Sequence, residues 1–156
     1  MTRLNILRKL KITPLVYIYL LFLSGHSVAD YVPYPGKIPV KLIEIEAPNI
    51  IMINFETWPG FSRDFKVTLP GIQVPEDSSA VELCERKLAQ KAIALTRNFL
   101  INAKDIRVWD MRMETSADTD VIAPIYTKQG GLIEALTRQG LARPDSVDPT
   151  TPWCKP

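Results

Sequence analysis

The residues best placed to do chemistry are the polar side chains between a predicted strand and a predicted helix, in the segment 67–76. This segment reads VTLPGIQVPE: a strand, a turn at Pro70-Gly71, and a short run that ends at Glu76. Ser79 and Glu82 then have the spacing of a capping box, which predicts the start of a helix. A carboxylate at such a junction can hold a metal ion or orient a water molecule. Glu76 supplies only one of the carboxylates that this chemistry needs.

The first 29 residues have the layout of a secretory signal. An apolar run extends from Leu15 to Leu23, and Ser27-Val28-Ala29 supplies the small residues that signal peptidase requires. The run is shorter than the roughly 20 apolar residues of a membrane-spanning helix. Basic residues precede it, namely Arg3, Arg8, Lys9 and Lys11. We therefore predict a signal peptide over residues 1–29 and a periplasmic or secreted protein, with an uncleaved N-terminal anchor as the alternative.

Cleavage at this point gives a defined mature terminus. Protein made in a Gram-negative host should begin at Asp30, and intact-mass spectrometry of the purified chain will show whether it does. A full-length chain retained in the membrane fraction would identify the anchor instead.

Removal of the signal reverses the sign of the net charge. The full chain carries 19 Lys and Arg against 17 Asp and Glu, a formal charge of +2, and all four charged residues of the signal are basic. The mature chain therefore keeps 15 basic residues and has a net charge of −2. Proteins that bind the phosphates of nucleic acids usually carry more basic than acidic residues. The charge therefore does not favour nucleic-acid binding, although it leaves room for a local basic patch.

Histidine and cysteine usage excludes several kinds of site. His26 is the only histidine and leaves with the signal, so the mature chain cannot host a Ser-His-Asp or Cys-His site or a His-ligated zinc. Cys84 and Cys154 remain, and an even number of cysteines in an exported chain favours a disulfide. Two free thiols or a metal-binding pair are the alternatives. A disulfide would fasten the proline-rich tail to the helix that carries Cys84.

Apolar periodicity predicts a mainly β fold with one long and one short helix. Short turns between the first strands predict an antiparallel meander that curls into a five-stranded barrel. The run Ile50–Ile53 predicts burial on both faces of its strand, and Gly140 stands where a left-handed helix cap belongs. The predicted strands are Lys37–Glu46, Ile50–Phe55, Arg63–Leu69, Asp105–Met113 and Val121–Tyr126. The predicted helices are Ala80–Asn102, with an apolar stripe at Val81, Cys84, Leu88, Ala92, Leu95 and Phe99, and Leu132–Gln139.

Two segments carry a resemblance to a known family. The stretch 125–143, with its EALTRQGLA run, and the corner at 67–76 resemble the late signature and the VRLxGIDTPE corner of staphylococcal nuclease-like proteins (thermonucleases). The match covers about Val40 to Cys154. It implies an OB-fold over residues 30–143 and a tail, 144–156, tied back as in the exported bacterial branch, where a cysteine of the first helix pairs with one of the tail.

The resemblance also implies where a calcium-dependent phosphodiesterase site would lie. The two ligand aspartates of the family correspond to Asn49 and Gln73, and the glutamate that orients water corresponds to Glu76. Thr68 and Asp120 stand where two phosphate-stabilising arginines are expected. Neutral amides attract a hard cation far less than carboxylates do, and the loss of one transition-state donor costs about 10² to 10³ in rate. The resemblance therefore implies a nuclease fold that has lost its metal site and its activity.

Three functions follow as hypotheses. The first is a non-catalytic binding or structural module of the cell envelope with an unidentified protein partner and no cofactor. The second is a nucleic-acid-binding module that does not cleave, and the third is a divergent calcium-dependent nuclease with a rebuilt metal site at Glu114, Asp118 and Asp120. An aromatic patch could arise from Trp58, Trp109 and Trp153, although core or turn packing is the commoner role of such residues. The net charge and the missing arginines favour the first function.

Overall fold

The computed structural model describes residues 34–78, 82–113 and 119–154. The predicted signal, Ser79 of the predicted capping box, and Glu114 and Asp118 of the alternative metal site lie outside these residues. The strands are β1 (Tyr34–Ala47), β2 (Ile50–Trp58), β3 (Phe61–Thr68), β4 (Ile72–Gln73), β5 (Ile106–Met113), β6 (Asp120–Ile122), β7 (Ile125–Thr127), β8 (Gly130–Gly131) and β9 (Arg143–Pro144). The helices are α1 (Leu83–Ile101) and α2 (Leu132–Arg138).

Five strands form a curled sheet that closes into a ring. The order is β1-β2-β3-β6-β5, and β5 pairs back onto β1. Strand β1 closes the ring because it is long: its first half pairs with β5 and its second half with β2. The predicted fifth strand is instead two short ones, β6 and β7, interrupted at Pro124, because proline has no N–H to donate to a sheet.

The core lies inside the ring and under α1. Strand residues alternate between the core and the outer face, so Ile51 and Ile53 are fully buried while Ile50 and Met52 are half-buried. The prediction that β2 is buried on both faces is therefore wrong, because nothing among the described residues covers its outer face completely. The curled, mainly β sheet with two helices is confirmed.

Helix α1 begins later than predicted. Its N-cap is Glu82, whose side chain makes no capping hydrogen bond, so the predicted capping box with Glu82 in the third helical position is wrong. The buried face also lies about one residue further along than the predicted stripe, with Leu88 and Leu95 only half-buried. The buried residues are Ala89, Ala92, Thr96, Phe99 and Leu100. The Thr96 hydroxyl donates a hydrogen bond to the carbonyl of Pro48 at 3.0 Å, which anchors α1 on the β1–β2 turn.

The end of α2 and the path of the tail are well defined. Gly140 has φ +66°, and the N–H groups of Gly140 and Leu141 donate to the carbonyls of Thr137 and Leu136, which is the Schellman arrangement. The predicted cap is confirmed. The chain then enters β9, which pairs with β4, and Cys154 forms the predicted disulfide with Cys84. Among the described residues, no helix is long and apolar enough to cross a membrane.

Candidate functional site

A cleft of about 970 Å³ opens where four elements meet. They are the β1–β2 turn, the corner that follows β3, the first half of α1 and the tail. The cleft brings together three of the predicted site residues: Asn49, Gln73 and Glu76. Its lining also includes Glu46, Pro48, Ile72, Val74, Pro75, Asp77, Glu85, Ala89, Ile93, Arg143, Pro149, Thr150, Thr151, Pro152 and Trp153.

The corner is held by backbone bonds and by buried residues on either side of the turn. The N–H of Leu69 donates to the carbonyl of Asn49 at 2.9 Å, and the Leu69 side chain is buried. Gly71 has φ +71°, a left-handed conformation that glycine adopts without a steric penalty. Further along the corner, Pro75 is buried and Glu76 is exposed at the rim of the cleft.

Glu76 contacts α1 through its backbone. Its N–H donates to a carboxylate oxygen of Glu85, at 3.2 Å, on the first turn of the helix. Glu85 therefore joins the corner to the helix, while the side chain of Glu76 is exposed at the rim.

The side-chain amide of Gln73 is hydrogen-bonded to the tail. Its Nε2 donates to the carbonyls of Asp145, at 3.1 Å, and Val147, at 2.7 Å. Its Oε1 accepts a hydrogen bond from Nε of Arg143 at 3.1 Å. Both N–H groups and the oxygen of the amide therefore have a hydrogen-bond partner, and one lone pair of the oxygen remains.

Arg143 is the second half of this arrangement. Its Nη1 donates to the carbonyl of Thr151 at 2.7 Å and its Nη2 to that of Pro149 at 3.3 Å. The guanidinium lies over the ring of Trp153, 4.2 Å from the ring centroid, within the range of a cation–π interaction. We call Gln73, Arg143 and Trp153 the tail latch. It holds residues 143–153 against the corner, next to the disulfide.

A local turn completes the tail. The N–H and hydroxyl of Thr150 both donate to one carboxylate oxygen of Asp148, at 2.8 and 2.7 Å. These bonds, the hydroxyl's first, lower the pKa of the Asp148 carboxyl below its ordinary value, and the charge of Arg143 adds to them. The turn presents the carbonyls of residues 149 and 151 to Arg143.

The two positions predicted to replace arginines lie away from the cleft lining. Thr68 ends β3 and pairs with Ile50 and Ile122, whereas Asp120 begins β6 opposite Lys66. They lie on neighbouring parallel strands, two positions apart in register. Thr68 offers a hydroxyl and Asp120 a negative charge, so neither can stabilise a phosphate as a guanidinium does.

The side chain of Gln73 does not suit a calcium ion. Calcium prefers anionic oxygens, but the Gln73 oxygen is neutral and already accepts a bond from the positively charged Arg143. A cation at this oxygen would have to displace the guanidinium or lie against it. Within the described ranges, no three acidic, histidine or cysteine side chains gather into a cluster that could hold a metal ion.

The three tryptophans line three different hollows. Trp153 belongs to the tail latch, and Trp58, 70% exposed, lies at the end of the β2–β3 hairpin. Trp109, 41% exposed, packs edge-on against Tyr126 and lies 5.1 Å below Nζ of Lys37. They therefore do not form one aromatic patch, and only Trp153 belongs to the cleft.

Sequence reasoning did not predict a role for Arg143. The residue was visible only as the last position of the family-like run at 132–143. Its hydrogen-bond partners lie 70 positions earlier and up to 8 positions later in the chain, and Trp153 lies beyond them. No local pattern links these residues. The one available signal is a cation placed between a capped helix and a proline-rich tail that contains a tryptophan.

Comparison with known proteins gives no family assignment. No model of a known protein family matches the chain, and no curated protein matches it. The resemblance therefore stands on the residues quoted above.

Proposed function

We propose that this chain is an exported protein of the cell envelope in which an OB-like, nuclease-type fold serves as a non-catalytic binding module. The curled ring of five strands, with α1 after β4 and the short α2 after β8, is compatible with the proposed family. The Cys84–Cys154 disulfide agrees with an oxidising compartment such as the periplasm.

The proposal rests on the hydrogen bonds that the side chain of Gln73 makes. The position corresponding to a metal-binding aspartate holds an amide that makes three hydrogen bonds to the tail. An amide oxygen that accepts a hydrogen bond from a guanidinium is a poor calcium ligand. An amide NH₂ group that donates to two backbone carbonyls holds those parts of the chain in place. The corner thus supports the tail and leaves the cleft without metal chemistry.

The charge around the cleft supports the same conclusion. Four carboxylates, those of Glu46, Glu76, Asp77 and Glu85, line it together with the single guanidinium of Arg143. A phosphodiester backbone is attracted by Lys and Arg and repelled by carboxylates. Nucleic acid is therefore a poor ligand for this cleft.

A cleavage assay tests the proposal. Purified mature protein should cleave neither labelled single- and double-stranded DNA nor RNA above background at any calcium concentration up to the millimolar range. Glu76→Gln is the matched variant, because it removes the one carboxylate retained at a position corresponding to the family's catalytic site. Calcium-dependent cleavage by the unmodified protein that is lost in Glu76→Gln would overturn the proposal. Tight binding of nucleic acid without cleavage would favour a nucleic-acid-binding module instead.

A further inference from the structure

We propose that the cleft binds an extended, basic segment of a partner protein. This inference rests on the proposed function, since it assigns a ligand class to a cleft that has no catalytic role. It is carried by the lining of the cleft and by the distribution of charge along it.

The walls of the cleft suit the long stems of basic side chains. Proline rings from the β1–β2 turn, the corner and the tail lie beside Ile72, Val74, Ile93 and the half-buried ring of Trp153. Lys and Arg bury their methylene stems against apolar surface while the charged group stays in water. An apolar lining with a charged rim therefore favours a chain in which basic residues are prominent.

The rim is acidic, and among the described residues the carboxylates of Glu76 and Asp77 make no ion pair, whereas that of Glu85 accepts the N–H of Glu76. Glu76 and Asp77 are exposed, and Glu46 is shared with Lys66 at 3.3 Å. Each of the three nitrogens of Arg143 donates to an oxygen of Gln73 or of the tail, so the guanidinium is held at the tail, and its single positive charge stands against four carboxylates in the cleft lining. A ligand therefore meets negative charge at the rim.

The spacing of the carboxylates distinguishes an extended chain from a single ion. The four carboxylates come from three parts of the chain, namely the end of β1 (Glu46), the end of the corner (Glu76 and Asp77) and the first turn of α1 (Glu85). Among the described residues no three of them come close enough to share one metal ion. Several separate cationic groups match this distribution better than one divalent cation does. A cleft of about 970 Å³ also has room for several residues of a peptide.

Fluorescence anisotropy on mature, oxidised protein tests the inference. The probe is a short fluorescein-labelled peptide of alternating lysine and valine, and the control probe replaces each lysine with glutamate. We expect saturable binding of the basic probe that weakens as salt is added, and no binding of the acidic probe. Equal binding of both probes, or no binding of the basic probe, would overturn the inference.

Variants locate the binding on the protein. Glu76→Gln and Asp77→Asn should each lower the affinity for the basic probe by about two- to fivefold, which is the range for loss of an exposed ion pair. Glu44→Gln removes an equal charge from an exposed position of β1 outside the cleft and should leave the affinity unchanged. Equal weakening by all three variants would mean that the probe senses only net charge, and would overturn the assignment to this cleft.

The outcomes separate this inference from the proposed function. Calcium-dependent cleavage would defeat the proposed function whatever the probe does. A protein that neither cleaves nucleic acid nor binds the basic probe would contradict only the assignment of a basic peptide to the cleft. A third outcome is that submicromolar calcium displaces the bound probe even when the ionic strength is held constant. That result would show that the cleft is a cation site and would overturn the basic-peptide assignment.

Discussion

Replacing Cys154 with serine is expected to lower the free energy of unfolding by about 4 kcal/mol. The disulfide joins residues 70 positions apart, and a cross-link over a loop of that length restricts the unfolded chain by roughly this amount. It also fixes the end of the tail at the first turn of α1, so its loss frees the ring of Trp153. Urea denaturation followed by tryptophan fluorescence measures the change.

Reduction of the unmodified protein is the matched control for this variant. Reducing agent should shift the denaturation midpoint of the unmodified protein to that of Cys154→Ser and should leave the variant unchanged. Two free thiols found by labelling the denatured, non-reduced protein would contradict the disulfide. Equal midpoints with and without reductant would contradict its contribution to stability.

Replacing Arg143 with alanine is expected to lower the free energy of unfolding by about 2 kcal/mol. Hydrogen bonds to a charged group contribute about 1.5–3 kcal/mol and an exposed cation–π contact about 0.5–1 kcal/mol, and solvent at the half-buried latch reduces the sum. Arg143→Lys should recover only part of the loss, because an ammonium cannot reach Gln73, Pro149 and Thr151 at once with the geometry of a guanidinium. Chemical denaturation of the oxidised protein measures both variants.

Arg138→Ala is the control for Arg143→Ala. Arg138 is exposed and makes one 3.3 Å bond to the carbonyl of Glu134, so its loss should change the stability by less than about 0.5 kcal/mol. Combining Arg143→Ala with Gln73→Ala should cost less than the sum of the two single changes, because the two residues share a hydrogen bond. Strict additivity would contradict the tail latch.

The latch also affects any attempt to restore a metal site. Asn49→Asp with Gln73→Asp supplies the two carboxylates that the family resemblance calls for. However, Nε of Arg143 lies 3.1 Å from the side-chain oxygen of Gln73, so an aspartate at 73 would face the guanidinium. We therefore expect that the two carboxylates alone will not recreate a calcium site while Arg143 is present.

The regular elements of the fold could be predicted from local sequence patterns. A continuous apolar run identified the strand around Ile53, alternation identified the strand around Val67, and the Gly140 cap followed from its position after a periodic run. The patterns misplaced the start of α1, because the chain from Ser79 to Glu82 has the form of a capping box while the first helical residue is Leu83. They also missed the break at Pro124, where an otherwise apolar run changes partners.

The candidate site was only partly predictable. The resemblance grouped Asn49, Gln73 and Glu76, and these three do line one cleft. It gave no role to Arg143, because that role depends on where the tail runs after β9. Hydrogen bonds between residues so far apart in the chain are decided by tertiary packing rather than by spacing in the sequence.

Calcium titration by calorimetry tests the central claim most directly. The claim is that the tail latch has taken the place of a metal ligand at position 73. Mature, oxidised protein should give no saturable heat at calcium concentrations below about 1 mM, since calcium sites of useful affinity need several anionic oxygens. A saturating isotherm with a submillimolar dissociation constant, abolished by Glu76→Gln, would contradict the claim.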